Sequence, residues 1–269
     1  MRLSRFIFVG MLFIFSALIA GCGGSGDNDG NSETTGTLGV VTASKVGNKI
    51  FARVTYSNAV QGLSVKFTND GGTLLDKQSV EARTDSSGVA SVVFSIVGVN
   101  TAKKNITISA STGGLTAAPA VVTLNPVTLT VSAPADATKE LKSLKSGIVE
   151  FVPSGFLAVL TDGDGYPVQN TDVTISVQTT LSGTGTAVVF WGETGEITGS
   201  SITIKTDSNG QIPNLATVRV PFLGAAPGTE TINVCTVVWK VTSGGLVAYG
   251  TTQYTVSNSV PEEKEETEN

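Results

Sequence analysis

Thr84-Asp85-Ser86-Ser87-Gly88-Val89-Ala90-Ser91-Val92-Val93-Phe94-Ser95-Ile96 decides the fold. Its first five residues form a turn: Asp and Ser side chains hydrogen-bond nearby backbone, and Gly accepts positive φ. Its remainder alternates, with Ala90, Val92, Phe94 and Ile96 on one face and Ser91 and Ser95 on the other. Period-two apolar spacing predicts a strand with one buried face. The turn returns as Thr206-Asp207-Ser208-Asn209-Gly210, again ahead of a predicted strand, so the chain repeats a structural unit.

The same alternation runs outward from this stretch. Ile50, Ala52, Val54 and Tyr56 share a face, as do Leu63, Val65 and Phe67, and Ile106, Ile108 and Ala110. Val121 to Leu124 closes a first unit, and Asn125-Pro126 is the predicted joint, because proline stops ladder pairing. In the second unit Ile148 to Thr161 reads as one long strand bent near Pro153-Ser154-Gly155. Val173, Ile175 and Val177 form another face, followed by Ala187 to Trp191, Ser201 to Thr206, Thr217 to Val220, Glu230 to Val241 and Val247 to Val256. Cys235, Val237, Trp239 and Val241 share one face of a strand whose other side carries Ile232, Val234 and Val238, which predicts a central strand. The polar run Asp136 to Lys145 is expected to form one or two helical turns. From Ala158 to Thr206 the second unit carries about 16 more residues than the first does from Ala52 to Thr84, placed in 179–199 and in a longer turn at Asp162 to Pro167.

These motifs resemble the bacterial Ig-like repeats of the invasin and intimin type. The likeness rests on Gly62 to Phe67, Thr84 to Phe94 and Ile106 to Ser111, and on Asp162 to Pro167, Asp172 to Val177 and the second Thr-Asp-x-x-Gly turn. It covers most of residues 38–258, though the second unit departs by its insertion and by Gln211-Ile212-Pro213. The resemblance implies two tandem Ig-like β-sandwiches and a role as spacer or adhesive module. Its motifs specify turns and strands, not a ligand.

The N-terminus resembles a lipoprotein leader. Arg2 and Arg5 precede the apolar run Phe6 to Ile19, and Leu18-Ile19-Ala20-Gly21-Cys22 resembles a lipobox. An apolar run of about 14 residues is short for a span of roughly 20. The resemblance implies cleavage of residues 1–21, acylation of Cys22 and a membrane anchor held through acyl chains, which bind tightly when two or more are present. Gly23 in place of aspartate favours the outer membrane under the common sorting rule. Residues 22–37 then form a flexible linker and residues 259–269 an acidic tail, with sandwiches at 38–126 and 127–258.

Composition narrows the function. Removing the leader leaves 15 basic against 22 acidic residues, and residues 38–260 balance at 14 of each. No basic stripe for nucleic acid is present. The chain has no histidine, which removes Ser-His-Asp catalysis and the commonest metal ligand. With Cys22 acylated, Cys235 has no internal disulfide partner and is expected to be a buried, inert thiol. Asp162-Gly163-Asp164-Gly165 could offer carboxylates to calcium, but six or more oxygens are normally needed, and an ordinary turn is the expectation. Phe190 and Trp191, beside Glu193 and Glu196, are the candidate binding patch. No catalytic residue, cofactor or metal is assigned. The expected function is a non-enzymatic, membrane-anchored envelope lipoprotein for adhesion or protein interaction. An accessory subunit of a secretion or electron-transfer complex and a carbohydrate-binding module are the alternatives.

Overall fold

The computed structural model describes residues 36–262. The leader, Cys22 and most of the linker and acidic tail lie outside the described residues. Gly36 and Thr37, assigned to the linker, belong to the folded part: Gly36 is buried, and Thr37 exchanges hydrogen bonds with Ser57.

The first core is built from β1 (Thr42–Val46), β2 (Lys49–Thr55), β3 (Ser64–Asn69), β4 (Ser79–Arg83), β5 (Val89–Ser95), β6 (Lys104–Thr112), β7 (Leu115–Thr116) and β8 (Ala120–Leu124). β1-β2-β5 form one antiparallel sheet, and β4-β3-β6 form the other, with β7 and β8 both on β6. Alternation drives the packing. Ile50, Val54 and Phe94 from the first sheet meet Phe67, Ile106 and Ile108 from the second, all at most 1% exposed.

The second core follows with β9 (Thr128–Val131), β10 (Ala137–Leu141), β11 (Gly147–Phe151), β12 (Phe156–Thr161), β13 (Asp172–Ser182), β14 (Val188–Trp191), β15 (Gly195–Glu196), β16 (Ser201–Lys205), β17 (Gln211–Pro213), β18 (Ala216–Phe222), β19 (Glu230–Ser243) and β20 (Leu246–Ser259). One layer is the five-stranded sheet β10-β20-β19-β13-β16; facing it are β11-β18-β14-β15 and β17-β12-β9. β19 is third of five, in the central position its two apolar faces predict. Trp239, Val237, Val173 and Ile175 from the large sheet pack with Leu157, Leu160, Val189 and Val218 in the second buried cluster. The fold is all-β: among the described residues only Gly72–Leu74 is helical, as one 3-10 turn.

Three sequence expectations change. Asp136 to Lys145 contains a strand, not a helix: β10 pairs in parallel with Tyr254–Asn258. It is an edge strand whose outer positions meet water, so it carries no apolar period. Asp136 reinforces the pairing by accepting the Gln253 amide at 2.7 Å. Ile148 to Thr161 is two strands in different sheets, because the chain crosses the sandwich at Pro153 to Gly155, where Gly155 takes φ +91. The acidic tail begins later than 259: Ser259 ends β20 and Val260 bridges Pro227.

The repeated turn recurs atom for atom. Asp85 Oδ1 accepts the amides of Ser87 and Val89, and Asp207 Oδ1 those of Asn209 and Gln211. Thr84 Oγ1 accepts from the Leu63 amide and donates to the Val60 carbonyl; Thr206 Oγ1 does the same with Thr171 and Val168. Each turn closes on a glycine with positive φ, Gly88 at +74 and Gly210 at +69. Each glycine carbonyl then accepts from the neighbouring strand or its end, from Tyr56 and from Leu160 respectively.

Candidate functional site

The most organised polar cluster joins the two cores. The turn after β12 places Asp162 and Asp164 beside Lys45 on the inward side of β1. Lys45 Nζ donates to Asp162 Oδ2 at 2.5 Å and to Asp164 Oδ2 at 2.6 Å. Asn125 Nδ2, from the connecting segment, donates to Asp164 Oδ1 at 2.6 Å. Asp162 Oδ1 faces its own turn, accepting the amides of Asp164 and Tyr166. The Lys45 ammonium also lies 5.2 Å from the Tyr166 ring centroid, within cation–π range.

This loop is a third copy of the Asp-x-x-Gly turn. Its aspartate amide donates to the carbonyl four residues on, as Asp85 and Asp207 do, and Gly165 has φ +83. It is therefore no longer than the other two turns. The added length of the second unit lies in β13 and in the β14–β15 hairpin. The sequence contained the Asp-x-x-Gly signal; what it lacked was any sign that Lys45, 117 residues away, would sit between the carboxylates.

The Lys45 side chain is only 9% exposed. Burial alone would lower its ammonium, but hydrogen bonds from it to Asp162 and Asp164, and their charges, hold it above 10.5. The hydrogen bond from Lys45, then that from Asn125, holds the Asp164 carboxyl below 3.8. The two carboxylates that could serve a metal ion are thus bonded to an ammonium. Among the described residues no group of three or more Asp, Glu, Cys or His could hold a metal.

Further contacts stiffen the junction. Asn100 Nδ2 donates to the carbonyls of Ala102 and Asn125, while its carbonyl accepts the Val127 amide at 2.8 Å. Val99, from the first half, packs against the second core. The space between Lys45, Asn100, Val127 and Asp162 is about 20 Å³, room for one water but no ligand.

The clamp predicts a pH window. Asp164 is depressed, so its contribution is complete above pH 3.8 and disappears as pH falls through its lower folded value. Lys45 is raised, so its contribution is complete below pH 10.5 and disappears as pH rises through its higher folded value. Lys45→Met should loosen the 162–166 loop at every pH between these limits. The expected loss is about 1 kcal/mol, kept small because water screens the open side of the pair. Hydrogen exchange of the Asp164 and Tyr166 amides checks this; unchanged protection in Lys45→Met would show that the clamp holds nothing.

Phe190 and Trp191 do not form a surface platform. They sit on adjacent positions of β14 and so face opposite sides. Trp191 is 2% exposed in the second core, and Phe190 is half-buried with the Arg219 guanidinium 4.5 Å from its ring centroid. Glu193, on the β14–β15 turn, and Glu196, in β15, are both exposed. Cys235 is fully buried, and burial pushes its thiol up to about 11. Cys22 lies outside the described residues.

No protein-family model matches the chain. No curated protein matches it. Among solved structures it is similar to the CupB6 tip adhesin from Pseudomonas aeruginosa, at 10% identity and TM-score 0.28, over 83% of this chain and 96% of that one. It is similar to CfaE, the adhesive subunit of CFA/I fimbria of enterotoxigenic Escherichia coli, at 9% identity and TM-score 0.30, over 87% of this chain and 90% of that one. A putative membrane anchored protein from Corynebacterium diphtheriae matches at 11% identity and TM-score 0.24, over 84% of this chain and 59% of that one. The chain spans 14% of the matched Escherichia coli alpha-2-macroglobulin. Likenesses this distant assign no activity.

Proposed function

We propose that this chain is a non-enzymatic, lipid-anchored lipoprotein of the bacterial cell envelope whose two sandwiches act as a stiff module for adhesion or protein interaction. The observation that carries the reading is the clamped junction. Lys45, Asn125, Asp162 and Asp164 hold one sandwich against the other, as a spacer or presenting module requires and a ligand-closing hinge does not. The lipobox-like run ending at Cys22 supports the anchor, and the absence of histidine from the chain supports a non-enzymatic role.

Cell fractionation of wild type and Cys22→Ser, combined with protease treatment of intact cells, tests the proposal. Wild type should fractionate with membranes and be cleaved on intact cells, whereas Cys22→Ser should move to the soluble fraction. A Cys22→Ser chain that stays with membranes as firmly as wild type would overturn the lipid anchor. Complete protection of wild type until the cells are permeabilised would overturn a surface-adhesion role and favour the accessory-subunit reading.

A further inference from the structure

The outer face of the β1-β2-β5 sheet is basic and partly apolar, while residues 38–260 together balance at 14 bases and 14 acids. Alternation turns Phe51 and Val93, directly paired across β2 and β5, towards solvent, and Val46 joins them from β1. They are 43%, 42% and 57% exposed. Lys49 and Arg53 flank Phe51 on the same face of β2. The remaining outward positions of the three strands are Thr, Ser or Val, so the face carries two cations and no acid.

We infer that this face docks on the anionic surface of the bilayer to which Cys22 is anchored. The inference rests on the lipid anchor proposed above. The segment outside the structure enters at this sheet: Leu38 bridges Tyr56, and the Gly39 amide donates to Thr55 at the end of β2. Thirteen residues lie between Cys22 and Gly36, a span of at most about 50 Å when fully extended. A tether of that length holds the face at an effective concentration on the order of millimolar. Weak attraction is then enough, and two basic side chains with a ring between them supply it through headgroup charge and shallow apolar contact. Residues 23–36 hold no Lys or Arg, so this attraction has to come from the folded part.

A second copy of the chain fits the face less well. Three strands of about seven residues present roughly 300 Å², against about 800 Å² per partner in a stable interface. Two such faces would also bring like charges together.

The test uses the full lipidated chain carrying Phe51→Trp, reconstituted into vesicles of phosphatidylglycerol and phosphatidylethanolamine with brominated acyl chains. The native Trp191 and Trp239 are buried, and the unsubstituted chain gives their baseline. The added emission should fall at least about two-fold on brominated vesicles. That quenching should be lost in a Lys49→Glu, Arg53→Glu background, or when phosphatidylcholine replaces the anionic lipid. Val93→Trp should report the same contact independently. Chains that float with the vesicles while neither added Trp is quenched would overturn the docking and leave the anchor standing. Chains that do not float would overturn both. Equal quenching on zwitterionic vesicles would overturn the anionic assignment.

Discussion

Trp239→Ala should destabilise the second sandwich by about 3–5 kcal/mol, the range for removing a large buried aromatic. Trp239 is fully buried at the centre of the large sheet, with Cys235, Val237 and Val241 on its own strand face. Its Nε1 donates to Thr252 Oγ1 at 3.1 Å, and Thr252 in turn donates to the Pro134 carbonyl. The substitution leaves the second bond in place, so the loss is chiefly cavity and dispersion energy rather than an orphaned donor. Both tryptophans of the chain belong to the second cluster, which makes Trp191 emission a reporter of that half alone. With a urea slope of roughly 2 kcal/mol per molar, its unfolding midpoint should fall by about 2 M. Exchange protection of Ile106 to Ala110, in the first cluster, should persist at urea concentrations where Trp191 reports unfolding. A shift under about 1 kcal/mol would mean that the site collapses around the gap. Joint loss of both halves would mean that the junction couples the two cores into one cooperative unit.

The strands legible in the sequence are those with one buried and one wet face. β2, β3, β5 and β6 each show an unbroken apolar period, because the fold buries every second side chain there, and β19 was legible by its two apolar faces instead. β10 was illegible for the converse reason. An edge strand pairs on one side only, and Ala-Thr-Lys-Glu-Leu leaves its central residues exposed. Polar residues with good helix propensity then resemble a surface helix, and only the edge of β20 turns them into a strand. The sheet change at Pro153 to Gly155 was half visible: the breaker residues mark an interruption, but not which sheet the chain joins next. Trp191 shows the limit of reading aromatics from composition, since alternation fixes that two neighbours face opposite ways and not which one faces in. The Lys45 clamp was not legible at all. A salt bridge between residues 117 apart leaves no periodic trace, and its acidic half, at Asp162 and Asp164, read in the sequence as an ordinary turn whose carboxylates calcium could use.

The recurring Asp-x-x-Gly turn allows its glycines to be separated into two kinds by one substitution. Gly210→Ala should destabilise by about 2–5 kcal/mol, and Gly165→Ala by only about 1–2 kcal/mol. Both glycines have positive φ, +69 and +83, so both alanines carry the left-handed backbone penalty. A Cβ at Gly165 meets open space, and the penalty ends there. A Cβ at Gly210 would overlap the Leu160 carbonyl oxygen and press within 3.1 Å of the Val168 amide nitrogen and 3.2 Å of Pro167 Cβ. These neighbours are backbone or ring atoms with no rotamer to retreat into. The chain would have to lengthen the bond from the Leu160 amide to the Gly210 carbonyl, now 2.8 Å. Leu160 is fully buried in the second core, so that movement reaches the packing. Gly88, where a Cβ would lie 2.7 Å from the Tyr56 carbonyl oxygen, should behave like Gly210. Equilibrium unfolding of the three alanine variants decides the point. Equal losses at all three sites would mean that backbone conformation alone fixes these glycines, and that the close approach of the turn to its neighbouring strand contributes nothing.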